Sequence, residues 1–298
     1  MLKDAVKSVI EPIFNIADNF YLKVYYKNII KSGKKTQNID EYLKELKKVL
    51  VVAPHQDDES IGMGGTIEKM KRNKIDVDIL YVTDGRMTPD DLRTSEIRLE
   101  EAKKSEAIYG INKSITIDII NKTLLYNVRE AIEKIEKNVN IIDYDAIFLT
   151  GPYECNDDHV AVYDIIFEFV KSDKVKDNVQ LYLYDINNSI QGEILNCVSF
   201  LTRDEAKTKW RAYDIFKSQK YITFSTIKIM DKNRLCITNK ENRLNYEAAE
   251  FFCKLDKEEF MKKISIDNSF RKNMKTATSS IRLIKNMEEN KKYRKLMK

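Results

Sequence analysis

The sequence predicts an α/β fold, a Rossmann-like doubly wound sheet that is mostly parallel and carries helices on both faces. From Lys47 onward, short continuous apolar runs alternate with longer stretches of helical periodicity. Continuous apolar runs are typical of parallel strands, which are buried on both faces. With 298 residues, 43% of them hydrophobic and 33% charged, the chain can bury one such core.

The predicted elements follow one another in order along the chain. Strands are predicted at Val49–Ala53, Val77–Thr83, Ile115–Ile120, Ala146–Thr150 and Val179–Tyr184. Helices are predicted between them at Ile61–Arg72, Asp90–Tyr109, Val128–Val139 and Val160–Lys171. Each helical stretch has the length and period that distinguish a helix from a strand.

We expect this domain to span residues 47–255 and to carry a helical extension at each end. Residues 1–46 are predicted as an amphipathic extension with a kink at Pro12 and a linker over residues 32–38. Its apolar stripe is Val6, Ile10, Ile13, Phe14, Ala17 and Phe20. We favour a helix packed on the domain over an anchor at a membrane surface, because such stripes mostly mark core faces. Residues 245–252 are predicted as a closing helix and residues 256–298 as a charged helical tail.

Charge and cysteine content argue against several classes of protein. The net charge of +5 comes from interspersed charges of both signs, unlike the basic stripe of a nucleic-acid-binding protein. The four cysteines form no CxxC pair, which excludes a zinc ribbon and indicates reduced thiols. Without a membrane-spanning run or a signal peptide, we expect a cytoplasmic protein. Peripheral contact with the inner membrane face through residues 1–33 is the alternative.

A histidine and three acidic residues follow the first predicted strand, in the segment Pro54–Glu59 with sequence PHQDDE. Grouped carboxylates repel one another unless a cation or hydrogen-bond donors compensate them. Zinc accepts imidazole nitrogen and carboxylate oxygen, and a catalytic zinc site has three protein ligands and one open position. His55 and Asp58 can supply two of the ligands, and Asp57 can stay off the metal.

The second histidine of the chain, His159, also follows a predicted strand and leads into a predicted helix. It ends the segment Asn156–His159 with sequence NDDH. For a lone histidine, a helix cap or a simple hydrogen-bonding role is the better interpretation. Two histidines at strand ends, each beside paired aspartates, favour one metal site instead.

These residues resemble the LmbE-like, PIG-L-type zinc-dependent N-deacetylase family, whose motifs read A/P-H-P-D-D-E and H-x-D-H. The resemblance implies that His55, Asp58 and His159 bind Zn²⁺ and that Asp57 is the general base. It covers about residues 47–220, with weaker features in order at Thr83-Asp84-Gly85, Arg98-x-x-Glu101 and Lys209–Gln219. Gln56 replaces the usual proline, and Asn156 replaces the first histidine of H-x-D-H. An amide can donate a hydrogen bond to an oxyanion but cannot deliver a proton.

Several further side chains near these segments are candidates for a role in the site. Asn156 or Tyr153 is predicted to stabilise the oxyanion, and Asp57 to return its proton to the departing amine. Glu59 and Asp158 are interpreted equally as supports of the ligands or as helix caps. Arg98 is predicted to contact substrate or to form a surface salt bridge with Glu96 or Glu101. Cys155 is interpreted as a small thiol rather than a ligand.

The function expected from the resemblance is hydrolysis of the acetyl group of an N-acetylated amino sugar, in an N-acetylglucosamine-type glycoconjugate or glycan precursor. Two alternatives stay open. One is a catalytically impaired zinc- or carbohydrate-binding protein of the same fold, which Gln56 and Asn156 motivate. The other is a deacylase of another N-acyl small molecule. No nucleic acid partner is expected.

Overall fold

A computed structural model of the chain describes residues 2–32, 36–190, 192, 194–219, 224–238, 244–262 and 289. The strands β1 to β8 are Gln37–Asn38, Lys48–Ala53, Asp76–Tyr81, Lys113–Thr116, Ala146–Thr150, Gln180–Tyr184, Cys197–Leu201 and Ala248–Leu255. The helices α1 to α9 are Leu2–Ser32, Asp40–Leu43, Asp58–Arg72, Leu92–Tyr109, Val128–Asn138, Asp157–Lys171, Arg203–Tyr213, Phe224–Arg234 and Lys257–Met261. Short 3₁₀ helices lie at Leu124–Tyr126, Ile141–Asp143 and Leu235–Ile237.

The described strands form one sheet in the order β1-β7-β8-β6-β5-β2-β3-β4. All their pairings are parallel except those of β8, which runs antiparallel to both β6 and β7. The predicted mostly parallel α/β fold is therefore confirmed. Its predicted strands overlap β2–β6, although the third, Ile115–Ile120, shares only its first two residues with β4. After β2 the chain adds β3 on one side and later β5 on the other. Ligands of open α/β sheets bind at such a reversal.

Alternating side chains of the central strands build a core on each face of the sheet. Leu50 and Val52 of β2 pack in the cluster that includes buried residues of α1, α5 and α6. Val49 and Val51 pack in the cluster on the other face, with buried residues of α3 and α4. Helices on both faces explain why these strands are apolar at every position rather than at alternate ones.

The closing helix predicted at residues 245–252 is wrong, because this part of the chain contains most of strand β8. Ala249 and Phe251 are buried on one face of the sheet and Phe252 on the other. A strand buried on both faces is apolar throughout, and a short run of that kind fits helical spacing equally well. Strand β7, Cys197–Leu201, was absent from the predicted elements.

The N-terminal helix α1 is one continuous helix with Pro12 inside it. Its later turns pack on the domain through Leu22, Tyr25 and Tyr26, as the favoured interpretation expects. Ile13, Ala17 and Phe20 of the predicted stripe are exposed and do not make this contact, and the side chains of its other three members lie outside the described ones. Residues 37–38, predicted as linker, instead pair with β7 as strand β1. Most of the predicted charged tail lies outside the described residues, and the domain limits stay a prediction.

None of the helices in the described ranges is long and apolar enough to cross a membrane.

A buried carboxylate on β8 holds the helix that carries part of the candidate site. Helix α3 is interrupted at Met63, whose φ of −147° is not helical. Beyond it, the amide groups of Gly65 and Thr66 donate to the Glu250 carboxylate over 2.9 and 2.8 Å. Glu250 thus accepts the hydrogen bonds of a new helix start, as a capping side chain does.

The ammonium group of Lys209 compensates the charge of Glu250. Its Nζ lies 2.9 Å from Glu250 Oε1 and 3.0 Å from a carboxylate oxygen of Asp231. All three side chains are buried. A buried charge is tolerated only when it is paired, so this group fixes α7, α8 and β8 against α3.

Replacing Glu250 by alanine should destabilise the fold strongly. The change removes a partner from the buried Lys209 ammonium and from two buried amide groups. We expect the free energy of unfolding to fall by about 3–5 kcal/mol, as for a broken buried ion pair. Urea unfolding followed by circular dichroism measures the change.

The matched control is Glu247→Ala, because Glu247 pairs with Lys232 in a half-exposed ion pair. Pairs near the surface contribute about 0–1 kcal/mol. An equally small loss in both variants would contradict the capping role of Glu250.

Candidate metal centre and active site

The two histidines meet because they follow neighbouring parallel strands. His55 lies two residues beyond β2, and His159 lies in the first turn of α6, which follows β5. Strands β2 and β5 pair in parallel, so both end at the same edge of the sheet. Asp58, the first residue of α3, completes the group. The structure therefore brings together the three residues predicted as metal ligands.

Three donor atoms of this group lie at nearly equal distances from one another. His55 Nδ1 lies 3.0 Å from Asp58 Oδ2 and 3.3 Å from His159 Nε2. His159 Nε2 lies 3.3 Å from Asp58 Oδ2. Four ligands in a tetrahedron with metal–ligand bonds of about 2.0–2.1 Å stand roughly 3.3 Å apart. The spacing of the donors therefore fits a small tetrahedral cation.

A second carboxylate faces the other nitrogen of each histidine. His55 Nε2 lies 2.9 Å from Asp158 Oδ2, and His159 Nδ1 lies 3.4 Å from Glu154 Oε2. A proton on each of these outer nitrogens leaves the inner nitrogen with a free lone pair. Two lone pairs and the Asp58 carboxylate then converge on one point, and a cation is the group that such a point accommodates.

The two outer carboxylates are themselves fixed by backbone amides of loops. Asp158 accepts hydrogen bonds from the amides of Lys122 and Leu124, at 2.6 and 3.1 Å. Glu154 accepts from the amides of Ile186 and Asn187, at 2.7 and 3.0 Å. His55 is therefore oriented through Asp158 by one loop, and a second loop holds Glu154 close to His159 Nδ1.

Glu154 has no counterpart among the predicted site residues. Its partner amide at Ile186 is 32 residues away in the chain. In the sequence, Glu154 is only an acidic residue in a Gly-Pro-Tyr-Glu segment ahead of the second motif. Its position there does not indicate which group its carboxylate contacts.

The ionisation of the three donors reflects their mutual contact. Burial alone would raise the pKa of Asp58, but the charge of His159 and hydrogen bonds with both histidines hold it well below its usual range. Burial alone would lower the pKa of His159, but Asp58 and Glu154 raise it to about 10. Hydrogen bonds with Asp158 and Asp58 likewise raise the pKa of His55 against the effect of burial. The surrounding carboxylates thus favour positive charge at this point.

Asp57 stands beside the ligands in a strained backbone conformation. Its φ of 138° is rarely adopted by a residue with a side chain, and strain of this kind persists where the surroundings enforce it. Its amide donates to Glu59 Oε2 over 3.2 Å, and Glu59 Oε1 accepts from the Ser60 hydroxyl. Oδ2 of Asp57 is buried and has no hydrogen-bond partner among the described residues.

Burial raises the pKa of Asp57, and the charges of Asp58 and Glu59 raise it further. Burial also raises the pKa of Glu59, to about 8. The charge of Arg98 acts in the opposite direction on Asp57. Asp57 therefore lies within the electrostatic reach of the donor cluster, and its Oδ2 has no hydrogen-bond donor among the described residues.

Arg98 is buried, so its interpretation as a surface salt bridge is wrong. Glu101, the nearby acidic residue of the motif, accepts hydrogen bonds from the amide and hydroxyl of Ser218. Gly85 has a φ of +86°, and a Cβ there would lie 2.7 Å from Arg98 Cδ. Glycine in the Thr83-Asp84-Gly85 segment thus leaves room for the arginine.

Gln56, which replaces the proline of the family motif, donates from Nε2 to the Thr83 carbonyl over 2.7 Å.

The remaining predicted site residues lie in the segment before α6. Asn156 caps this helix, since its Oδ1 accepts from the Asp158 amide over 3.0 Å, and its Nδ2 remains as a donor. Tyr153 is fully buried and donates its hydroxyl to the Tyr184 carbonyl over 3.1 Å. Cys155 is half-buried and lies outside the donor cluster.

Comparisons of sequence agree with this arrangement. Residues 50–170 match the PIG-L family, described as GlcNAc-PI de-N-acetylase. The diacetylchitobiose deacetylase of Thermococcus kodakarensis is 38% identical over 129 residues, which are 41% of this chain and 48% of that protein. The chain thus spans about half the length of this curated relative.

Comparisons of structure show the same fold in proteins of low sequence identity. The N,N'-diacetylchitobiose deacetylase of Pyrococcus horikoshii superposes with a TM-score of 0.59 at 20% identity, over 76% of this chain and 90% of that one. The 4-carboxy-2-hydroxymuconate hydratase of Pseudomonas putida KT2440 superposes with a TM-score of 0.54 at 15% identity, over 70% of this chain and 96% of that one. Because a deacetylase and a hydratase share this fold, the fold alone does not decide the reaction.

The family match covers β2 through most of α6, the part of the chain that supplies His55, Asp58 and His159. The chain therefore carries a domain of the PIG-L (LmbE-like) deacetylase family over residues 50–170.

Proposed function

We propose that this protein is a zinc-dependent hydrolase that removes the acetyl group from the nitrogen of an N-acetylated amino sugar. We take the substrate to be an N-acetylglucosamine-type glycoconjugate or glycan precursor. The observation that carries the proposal is the convergence of His55, Asp58 and His159, with Asp57 beside them. The relative from Thermococcus kodakarensis, a diacetylchitobiose deacetylase, supports the substrate class.

His55 Nδ1, His159 Nε2 and a carboxylate oxygen of Asp58 would hold the zinc ion. Two imidazoles and one carboxylate form a known ligand set of catalytic zinc, which keeps a further position open. The side chain of His55 is 12% exposed to solvent, whereas the side chains of Asp58 and His159 are buried. Bound zinc acts as a Lewis acid, lowering the pKa of water and polarising the acyl oxygen.

Asp57 would move the proton. Its carboxylate takes a proton from water as the water oxygen bonds to the acyl carbon. It then returns the proton to the amine nitrogen as the carbon–nitrogen bond breaks, which releases acetate and the free amino sugar. The lack of a hydrogen-bond donor on Oδ2 among the described residues supports this role, because the oxygen has a free lone pair.

Asn156 would stabilise the developing negative charge on the acyl oxygen. Its Oδ1 is held by the Asp158 amide, so its Nδ2 is the atom left to donate. Removing one such donor typically costs about 10²–10³ in rate. Arg98, whose charge opposes the rise in the pKa of Asp57, would favour the charged form of that carboxylate or contact the sugar.

The substitution at Asn156 also supports a second candidate function, a zinc- or carbohydrate-binding protein without turnover. An amide cannot supply the proton that a histidine at this position can. In this alternative the metal binds and no acetate is released from any acylamino sugar. A deacylase of another N-acyl compound would instead release a different acid from its own substrate.

Metal removal should abolish acetate release from N-acetylglucosamine-containing substrates. We expect purified protein to contain near-stoichiometric zinc, to lose activity on chelation and to regain it when zinc is restored. Elemental analysis and an enzymatic acetate assay measure the two quantities together. Bound zinc with no release across the substrate panel would support the binding protein, and chelation-resistant release would contradict the proposal.

Replacing Asp57 by asparagine should reduce kcat at least about a hundredfold, the lower range for loss of a positioned acid–base group. Zinc content should stay near stoichiometric, because Asp57 is not a ligand. Asparagine also tolerates positive φ better than most residues, so the backbone should keep its conformation.

The control for this variant is Asp157→Asn, an exposed neighbour of the second motif, which should leave kcat unchanged. Loss of zinc from the Asp57→Asn protein would show that Asp57 is a ligand and would contradict its assignment as the base.

Replacing Glu154 by glutamine should weaken zinc binding. The amide can still accept one backbone hydrogen bond, but it no longer offers a carboxylate to His159 Nδ1. Loss of such a partner typically lowers metal affinity about 10–100-fold. Competition with a chelating dye measures the affinity, and thermal unfolding of both apoproteins separates this effect from a loss of fold.

Glu168→Gln, a half-exposed position on the same helix as His159, is the matched control. Equal zinc affinities of the two variants would show that Glu154 does not position His159.

A further inference from the structure

Helix α1 presents apolar side chains on two opposite sides. Leu22, Tyr25 and Tyr26 are buried against the domain. On the other side, Ile13, Ile16, Phe20 and Val24 are exposed by 66, 73, 73 and 45%. Their spacing of three or four residues places them in one line along the helix. A continuous apolar line of this kind in solvent indicates a surface that another apolar phase covers.

The exposed charges that the structure describes beside this line are positive. Among residues 12–28, whose side chains are mostly described, Lys23 and Lys27 are exposed. The single acidic residue in this range, Asp18, is buried. An apolar helix face flanked by exposed lysines matches the interface of a membrane that contains anionic lipid.

We propose that α1 docks the protein on an anionic lipid surface through Ile13, Ile16, Phe20 and Val24, with Lys23 and Lys27 at the headgroups. The apolar side chains enter the boundary between headgroups and acyl chains, and the helix lies in the plane of the interface. A second copy of the chain fits less well, because pairing two such faces would bring four lysines together without acidic partners. This inference concerns the location of the protein and does not depend on its reaction.

The helix is fixed to the edge of the sheet where the candidate active site lies. The hydroxyls of Tyr26 and Ser189 lie 3.4 Å apart. Ser189 belongs to the loop after β6 whose amides at Ile186 and Asn187 hold Glu154. Arg234, on the helix that packs against α1, donates to both carboxylate oxygens of Asp185 in the same loop. Docking through α1 would therefore hold this edge of the sheet in a fixed relation to the lipid surface.

Sedimentation with vesicles of phosphatidylcholine, with and without phosphatidylglycerol, tests the proposal on the full chain. We expect binding to vesicles that contain phosphatidylglycerol, weakening as salt is raised. Ile16→Ser/Phe20→Ser should lower the partition coefficient at least about tenfold, because two apolar side chains are lost from the interface. Lys23→Glu/Lys27→Glu should lower it at least about tenfold on anionic vesicles only. Point changes are preferred to deletion of α1, whose buried face belongs to the core.

The matched control is Ile142→Ser/Leu244→Ser, which removes exposed apolar side chains outside α1 and should leave binding unchanged. Circular dichroism and thermal unfolding serve as checks that every variant is folded. Unchanged binding of the Ile16→Ser/Phe20→Ser variant would overturn the proposal. The proposal would also be overturned if the native protein did not bind vesicles and light scattering showed a dimer that dissociates in this variant.

Discussion

The parallel pairing of β2 with β5 is the constraint on which the candidate site depends. It places the ends of two strands that are almost one hundred residues apart in the chain side by side at the edge of the sheet. Each strand then continues through a short turn into a helix, with His55 in the first of these turns and His159 in the first helical turn after the second. The donor atoms converge because the sheet fixes their starting points, and helix α3 contributes Asp58 from its first turn. Helix α3 is interrupted at Met63, and Glu250 caps the helical segment that starts beyond it. This cap keeps α3 in place beside β2.

The polar groups around the donors form successive layers of support. Asp158 forms a hydrogen bond with His55 and Glu154 faces His159, and backbone amides of two loops hold these carboxylates in turn. This arrangement concentrates negative charge where three donors already meet, which is unfavourable without a cation. Asp57 adds backbone strain at the same place. Strain and unpaired charge gathered at one edge of a well-packed sheet are the marks of a site built for binding and chemistry rather than for stability.

Much of the fold and the donor cluster could be predicted from the sequence, because both rest on local patterns. Strands β2, β5 and β6 are mostly continuous apolar runs, and the histidines follow β2 and β5 in the segments that lead into the next helices. The failures concern distant contacts. The apolar residues of β8 fit helical spacing equally well, and only the pairing of β8 with β6 and β7 identifies it as a strand. Glu154 acquires its role only from loop amides far along the chain, and Arg98 is buried because Gly85 leaves space for it. In α1 the sequence showed apolar residues on a helix but not which of them face the domain.

The proposed activity depends most directly on a metal ion held by His55, Asp58 and His159. Anomalous diffraction at the zinc edge, from crystals of the zinc-loaded protein, locates that ion without reference to activity. We expect one strong peak about 2.0–2.1 Å from His55 Nδ1, His159 Nε2 and a carboxylate oxygen of Asp58. A peak elsewhere, or one bonded to Asp57 or Cys155 in place of these residues, would contradict this ligand set.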